Sequence, residues 1–337
     1  MRLNGEKRRG WMLLGLLVLL WLSFFIALEG GDALLTRLAS GDGSPLERVI
    51  LQELRFPRAL AAMSIGAGLA MSGVALQVLF RNPLAEPGLI GVSSGAALGA
   101  VLALAGISAG MAGFLNSTVG SALGAFMMGI ATTYFLYRLA TRQGRTDAAM
   151  MLLAGVALNA INGAAVGLVM TLSNDAELRT IIFWLMGSLS GVNLNQALGL
   201  LVAVLILFMG LWRQARGLDR YLLGEAACLQ MGEDPQRLKQ SLILLTTLFV
   251  AFAVAQVGVI AFVGLIVPHM MRFIVGAQHR WLLPASALAG ALLVLWADQL
   301  SQWLLAPSEV PIGLLMALLG GPFFLGLLLR QRTKLAI

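Results

Sequence analysis

Long apolar runs separated by short polar breaks make up most of the chain. Runs near the ~20 residues that a helix needs to cross a bilayer recur from one end to the other. The pattern predicts ten elements: Trp11–Leu28, Pro57–Phe80, Gly91–Ile107, Met111–Leu139, Ala148–Leu172, Asn195–Trp212, Leu242–Leu265, Pro268–Gly276, Leu283–Leu304 and Pro311–Leu329. The eighth is too short to span alone, so it is either a half-helix or shares one crossing with the ninth. The first follows a basic start (Arg2, Lys7, Arg8, Arg9). It is long for a signal-peptide core of roughly 7–15 residues, and it reads as the first spanning helix. The runs are continuous rather than alternating, which argues against a transmembrane barrel. The fold class expected is all-α: a polytopic membrane protein of about ten transmembrane helices, with residues 1–337 forming one transmembrane domain.

The polar breaks carry local signals. Arg81 to Gly95, RNPLAEPGLIGVSSG, holds Pro83 and Pro87, which end helices, and then small residues from which a new helix can start close to its neighbours. Small residues also punctuate the second run (Ser64, Gly66, Gly68, Ser72, Gly73) and the third (Gly91, Gly95, Gly99), predicting close helix packing. In the fifth run Asn159 and Asn162 are three apart and share a face. Amides at membrane depth need a partner or water, so the pair is either an interhelical hydrogen bond or a polar strip on a translocation path. After it, Asn174 or Ser173 before Asp175 and Glu177 predicts a capped surface helix that stops before Gly187. Between Arg213 and Gln240, one short helix is expected, started by Asp219 and closed by Gly232 and Pro235. Its apolar residues Leu222, Leu223, Ala226, Ala227, Leu229 and Met231 suit either the membrane surface or a soluble partner. In the last run, Pro311 suits a helix start and Gly320, Gly321 and Pro322 predict a bend or break.

Composition sharpens this picture. The chain is 59% hydrophobic and 12% charged, with a mean hydropathy of +0.87; soluble domains are about a quarter charged. The net charge of +7 suggests nucleic acid only if its location is ignored. Of the 23 basic residues, all but Arg37, Arg48, Arg55, Arg58 and Arg179 fall on one side of the predicted topology. The excess of Lys and Arg marks that side, and with it both termini, as cytoplasmic. Cys228 is the single cysteine, so no intrachain disulfide forms.

Catalytic motifs are missing. The sequence has no GxxxxGK[ST] loop, no HExxH, no serine nucleophile elbow and no acid pair. His269 and His279 have no neighbouring Cys or carboxylate cluster in sequence, so no metal site is expected; a helix-start position after Pro268 accounts for His269 more simply than a heme ligand. The predicted spans lack Asp and Glu apart from Asp298 toward an outer end. Ion-coupled transporters place such groups inside their spans. A transporter with neither relay nor nucleotide loop takes its energy from another polypeptide. An ion-driven secondary transporter and a membrane enzyme or scaffold are the competing classes.

Seven stretches, in order, resemble the FecCD family, the permease subunits of ABC importers for iron chelates, heme and cobalamin. They are LRFPRALAAMSIGAGLAMSGVALQ, FRNPLAEPGLIGVSSGAALG, LLAGVALN, FWLMGSLSG, LGEAACLQMG, GVIAFVGLIVPHMMR and EVPIGLLMALLGGPFF. The resemblance implies the type II ABC importer permease fold and a homodimer with a pathway on its axis. It also implies two cytoplasmic ATPase subunits that bind the ATP, a periplasmic substrate-binding protein, and a place in the bacterial inner membrane. No cofactor is expected in this subunit, and no nucleic acid partner. By position, Leu223, Gly224, Glu225, Ala226, Ala227, Leu229, Met231 and Gly232 match the family's ATPase-coupling helices. Arg55 and Arg58 match residues that receive acidic groups of the binding protein; snorkelling at the interface is the plainer alternative. Asn82 and Leu84 match a turn of the cytoplasmic gate. Gln299 and Gln302 stand where relatives can carry a further basic residue. For cargo, GVSSGAALG and LLAGVALNA are most similar to heme permeases, FWLMGSLSG equally to ferric-siderophore permeases, and cobalamin is the alternative.

Overall fold

The computed structural model describes residues 2–30, 34–41, 44–106 and 118–335. Helices α1 (Arg2–Glu29), α2 (Leu34–Ser40) and α3 (Pro45–Val49) come first, and a π-helical turn at Ile50–Arg55 runs straight into α4 (Phe56–Leu79). A tight turn at Pro87–Ile90 precedes α5 (Val92–Leu104), followed by α6 (Thr118–Ala140). Strands β1 (Thr141–Arg142) and β2 (Arg145–Thr146) form a small antiparallel hairpin before α7 (Ala148–Leu172). Then come α8 (Asp175–Leu185), α9 (Leu194–Arg213), α10 (Ala215–Tyr221), α11 (Glu225–Gln230), α12 (Pro235–Val257), α13 (Val263–Val275), α14 (His279–Trp303) and α15 (Ile312–Leu335). Seven helical stretches among the described residues are long and apolar enough to cross a membrane, and α5, α13 and the apolar part of α15 are shorter. The predicted ends Ile107 and Met111 lie outside the described residues.

Helix α4 is the central element. In the most apolar stretch of Pro45–Leu79, 83% of residues are buried, against 17% for α1 and for α7. Its glycines explain how neighbours approach so closely. A Cβ on Gly66 would strike the Gly290 carbonyl of α14, and one on Gly73 would strike the Gly264 carbonyl of α13. The same close contact joins Gly99 of α5 to Gly124 of α6. Backbones touch where side chains are missing, which supplies dispersion contact where lipid removes the hydrophobic drive. Helices α1, α7 and α9 turn large apolar side chains outward, as spans facing lipid do.

Local chemistry sets the boundaries. Asn174 and Asn193 each form a reciprocal capping box, with Glu177 and Gln196, at the starts of α8 and α9. Asp147 and Asp234 cap α7 and α12. Four expectations are corrected. The predicted run Leu242–Leu265 is two helices: α12 ends at Val257 and α13 begins at Val263, separated by a break in which Phe262 has φ +67°. Pro268 lies inside α13, not at its start, so His269 is mid-helix, where its ring packs edge-on against Phe273. Pro268 removes the donor that would reach the Gly264 carbonyl. Gln77 Nε2 of α4 supplies it instead, at 3.2 Å. The Arg213–Gln240 segment holds two short helices, α10 and α11, bent at Gly224 with φ +115°. Asp219 therefore caps nothing there, and Pro235 opens α12 rather than closing α11. Finally, of the bend or break expected at Gly320, Gly321 and Pro322, the break does not occur: α15 runs on through Pro322.

Candidate functional site

The turn after α4 and the break before α13 meet and enclose a cavity. Arg81 leaves α4 with φ +48°, and Asn82 closes the turn by accepting the Leu84 N–H on Oδ1 at 2.9 Å. The Arg81 guanidinium lies 4.7 Å from the centre of the Tyr221 ring of α10, so the turn rests on the α10–α11 pair. Five residues after Arg81, Glu86 Oε2 accepts the Phe262 N–H at 3.2 Å, joining the turn to the α12–α13 break. The cavity, about 370 Å³, is walled by Glu86, Ser93, Ser94, Asn159 and Phe262 among others.

Asn159 and Asn162 are brought to α5 together. Ser94 Oγ donates to Asn159 Oδ1 at 2.6 Å and accepts from Asn162 Nδ2 at 3.0 Å. Asn159 Nδ2 also donates to the Gly88 carbonyl at 3.0 Å. Both amides thus make the interhelical bonds that membrane depth demands, and Asn159 in addition lines the cavity. Asn82 and Leu84 do not line it; they form the earlier part of the same turn.

At the same end of the bundle as the hairpin, α10 and α11 present an apolar surface. Leu223 is 65% exposed, and Leu222, Leu229 and Met231 are also exposed, with Glu225, Ala226 and Gly232 beside them. Ala227 is half-buried and Cys228 is fully buried beneath. Lys239 of α12 secures this surface from behind: its Nζ donates to the Thr146 carbonyl at 2.7 Å and pairs with Glu225 Oε1 at 2.8 Å. Tyr221 is buried, and burial together with the Glu225 carboxylate pushes its hydroxyl up to about 12. The Asp219 carboxylate accepts both the backbone N–H and ring Nδ1 of His279, at 3.1 and 2.6 Å, tying α10 to the start of α14.

The opposite end holds the two arginines. Arg58 fills a carboxylate clamp: Nε and Nη2 reach Asp298 at 3.0–3.1 Å, and Nη1 and Nη2 reach Glu309 at 2.8 and 2.9 Å. Gln302 Nε2 completes Asp298 at 2.9 Å. Arg55 donates to the Leu28 and Glu29 carbonyls at 3.1 and 2.6 Å, which fastens α1 to the π-helical turn. The sequence reading placed both arginines at a mouth but missed Asp298 and Glu309 as partners, because 240 or more residues separate them. It also missed Glu86 and Phe262. No sequence rule marks a phenylalanine that adopts a left-handed conformation.

Comparison with known proteins agrees with this geometry. Residues 12–330 match the FecCD transport family model. The hemin transport system permease protein HmuU of Yersinia pestis is 44% identical over 286 residues, covering 83% of each chain. The vitamin B12 import system permease protein BtuC of Vibrio cholerae is 42% identical over 293 residues, covering 86% of each. A solved structure described as an inward-facing metal-chelate type ABC transporter superposes with a TM-score of 0.83 at 33% identity, over 96% of this chain and 99% of that one. The chain belongs to the FecCD transport family and is the membrane permease of an ABC importer.

Proposed function

We propose that this permease moves heme or a ferric-siderophore complex from the periplasm to the cytoplasm across the bacterial inner membrane. The observation that carries this reading is the cavity wall. It offers hydroxyls and an amide, from Ser93, Ser94 and Asn159, and one carboxylate already engaged by a backbone N–H. Among the described residues, no group of three or more His, Cys, Asp or Glu is placed to hold a metal ion. A bare cation would meet few ligands here, whereas a metal already wrapped in an organic chelate needs only a weakly hydrogen-bonding wall. The similarity to a hemin permease supports heme, and the similarity to vitamin B12 permeases supports a second reading, cobalamin.

In this reading two copies of the chain form the pathway, with Asn159 and Asn162 beside it and Asn82 and Leu84 at the cytoplasmic gate. The Leu223–Gly232 surface seats one of two ATPase subunits, which bind and hydrolyse the ATP. Arg55 and Arg58 face the periplasm and receive the acidic groups of a substrate-binding protein. The hairpin end and both termini are placed in the cytoplasm, a reading that the excess of basic residues there supports. The test is uptake by proteoliposomes holding the permease with its ATPase and binding protein. ATP-dependent accumulation of heme or ferrichrome supports the main reading, and accumulation of cyanocobalamin alone replaces it with the second. Accumulation with no ATPase present would overturn both.

A further inference from the structure

We infer that the cleft between the end of α9 and the starts of α10 and α14 holds the phosphodiester of an anionic membrane phospholipid. Trp212, Arg213, Ala215, Arg216 and Arg280 wall this cleft, which has a volume of about 370 Å³. Three arginines line it and no carboxylate does. Among the described residues, none of the three guanidiniums makes a hydrogen bond or ion pair. Asp219, the carboxylate of α10, is held by His279. Like charges gathered without a partner repel, and a phosphate oxygen pair fits the fork of a guanidinium in two parallel bonds.

The surroundings select a lipid over a free anion. Val202, Leu205, Ile206 and Met209 form an exposed apolar strip along α9 that leads to the cleft. Trp212 stands at the end of the strip with its ring 5.4 Å from that of Phe208. Tryptophan at a span end marks the level of the headgroups. Acyl chains lying along α9 therefore bring a headgroup phosphate to the three arginines. Basic pockets between spanning helices on the cytoplasmic side are built to take such headgroups. Occupancy would brace α10, and through it the apolar α10–α11 surface, against α14.

The experiment uses the full-length permease purified in detergent and washed free of loosely held lipid. Retained phosphatidylglycerol is counted by native mass spectrometry, and melting is followed with phosphatidylglycerol, phosphatidylcholine or inorganic phosphate added. Phosphatidylglycerol is expected to stay bound and raise the melting temperature, while phosphatidylcholine and inorganic phosphate do neither. Each arginine removed should weaken retention about fivefold. The triple variant R213Q, R216Q, R280Q should therefore lose the lipid while melting as wild type in phosphatidylcholine. Should the triple variant fail to fold, the single variant R280Q carries the test with its severalfold loss. The control R138Q, R142Q, which removes two exposed charges elsewhere, should keep the lipid. Undiminished retention in the cleft variants, or an equal melting rise with inorganic phosphate alone, would overturn the assignment. So would loss of the ATPase subunit from the triple variant with lipid still bound, since the cleft would then be a protein contact.

Discussion

Lys239 is only 3% exposed, yet its ammonium has two partners, the Thr146 carbonyl and Glu225. A buried lysine without such partners would shed its charge. This one fixes the hairpin and α11 to α12, so the exposed α10–α11 surface is held by a charge that the sequence reading placed in an ordinary loop. Glu225→Arg puts a second cation opposite Lys239. At 4 Å and an effective dielectric of about 20 such a pair costs about 4 kcal/mol, much of which an exposed arginine escapes by swinging into water. The variant should stay folded but lose ATP-driven uptake, measured in the reconstituted complex; wild-type uptake would remove the coupling assignment. Cys228, under the same surface, tests its packing. Burial holds its thiol above the ordinary range, and the Glu233 carboxylate acts in the same direction. A raised folded value means that this thiol's contribution to stability is complete below the unfolded value and is lost as pH climbs through the folded one. Near neutral pH a maleimide should therefore leave native protein unlabelled and label it fully after SDS denaturation.

Among the helices, α13 shows what a single chain position can and cannot announce. Pro268 read in sequence as a helix start, but it lies inside α13, and its effect depends on a residue 191 positions away in sequence number, Gln77 of α4, which satisfies the carbonyl that proline leaves open. Gln77→Leu should destabilise the bundle by about 1–3 kcal/mol, the cost of an unpaired buried carbonyl. In a Pro268→Ala background the helix regains its own donor, so the same change should cost at least about 1 kcal/mol less. Unfolding in SDS titrations of the four proteins measures the coupling, and strict additivity would show that Gln77 does not serve this carbonyl. The spans α4, α7, α9 and α14 were readable because long apolar runs have one stable fate in lipid, and the cap at Asn174 because its donor lies within three residues. The pairing of Asn159 and Asn162 with Ser94, the Phe262 turn and the split of α10 from α11 depend on distant segments meeting. The local pattern carries none of that information.

Taken as one body, the molecule ties its far end together through Arg58. Asp298 is 1% exposed and Glu309 39%, so the two carboxylates sharing one guanidinium differ in kind. The inner one is structural: removing Arg58 would leave a buried carboxylate unpaired, a loss of about 3–5 kcal/mol. The outer one is a partly exposed ion pair, which contributes about 0–1 kcal/mol and exchanges readily. If a binding protein offers its own carboxylate to Arg58, Glu309 is the group it displaces, and Asp298 keeps the guanidinium in place throughout. Glu309→Gln removes the competing charge without disturbing the buried pair, and it also lowers the negative potential facing the partner. Docking of the binding protein should become severalfold tighter, chiefly through faster association, and the gain should shrink as salt rises. Arg55→Glu should act in the opposite sense. Surface plasmon resonance on the reconstituted permease reads both rates. Unchanged association in both variants, at low salt, would mean that the partner docks elsewhere and that this cluster only closes the bundle.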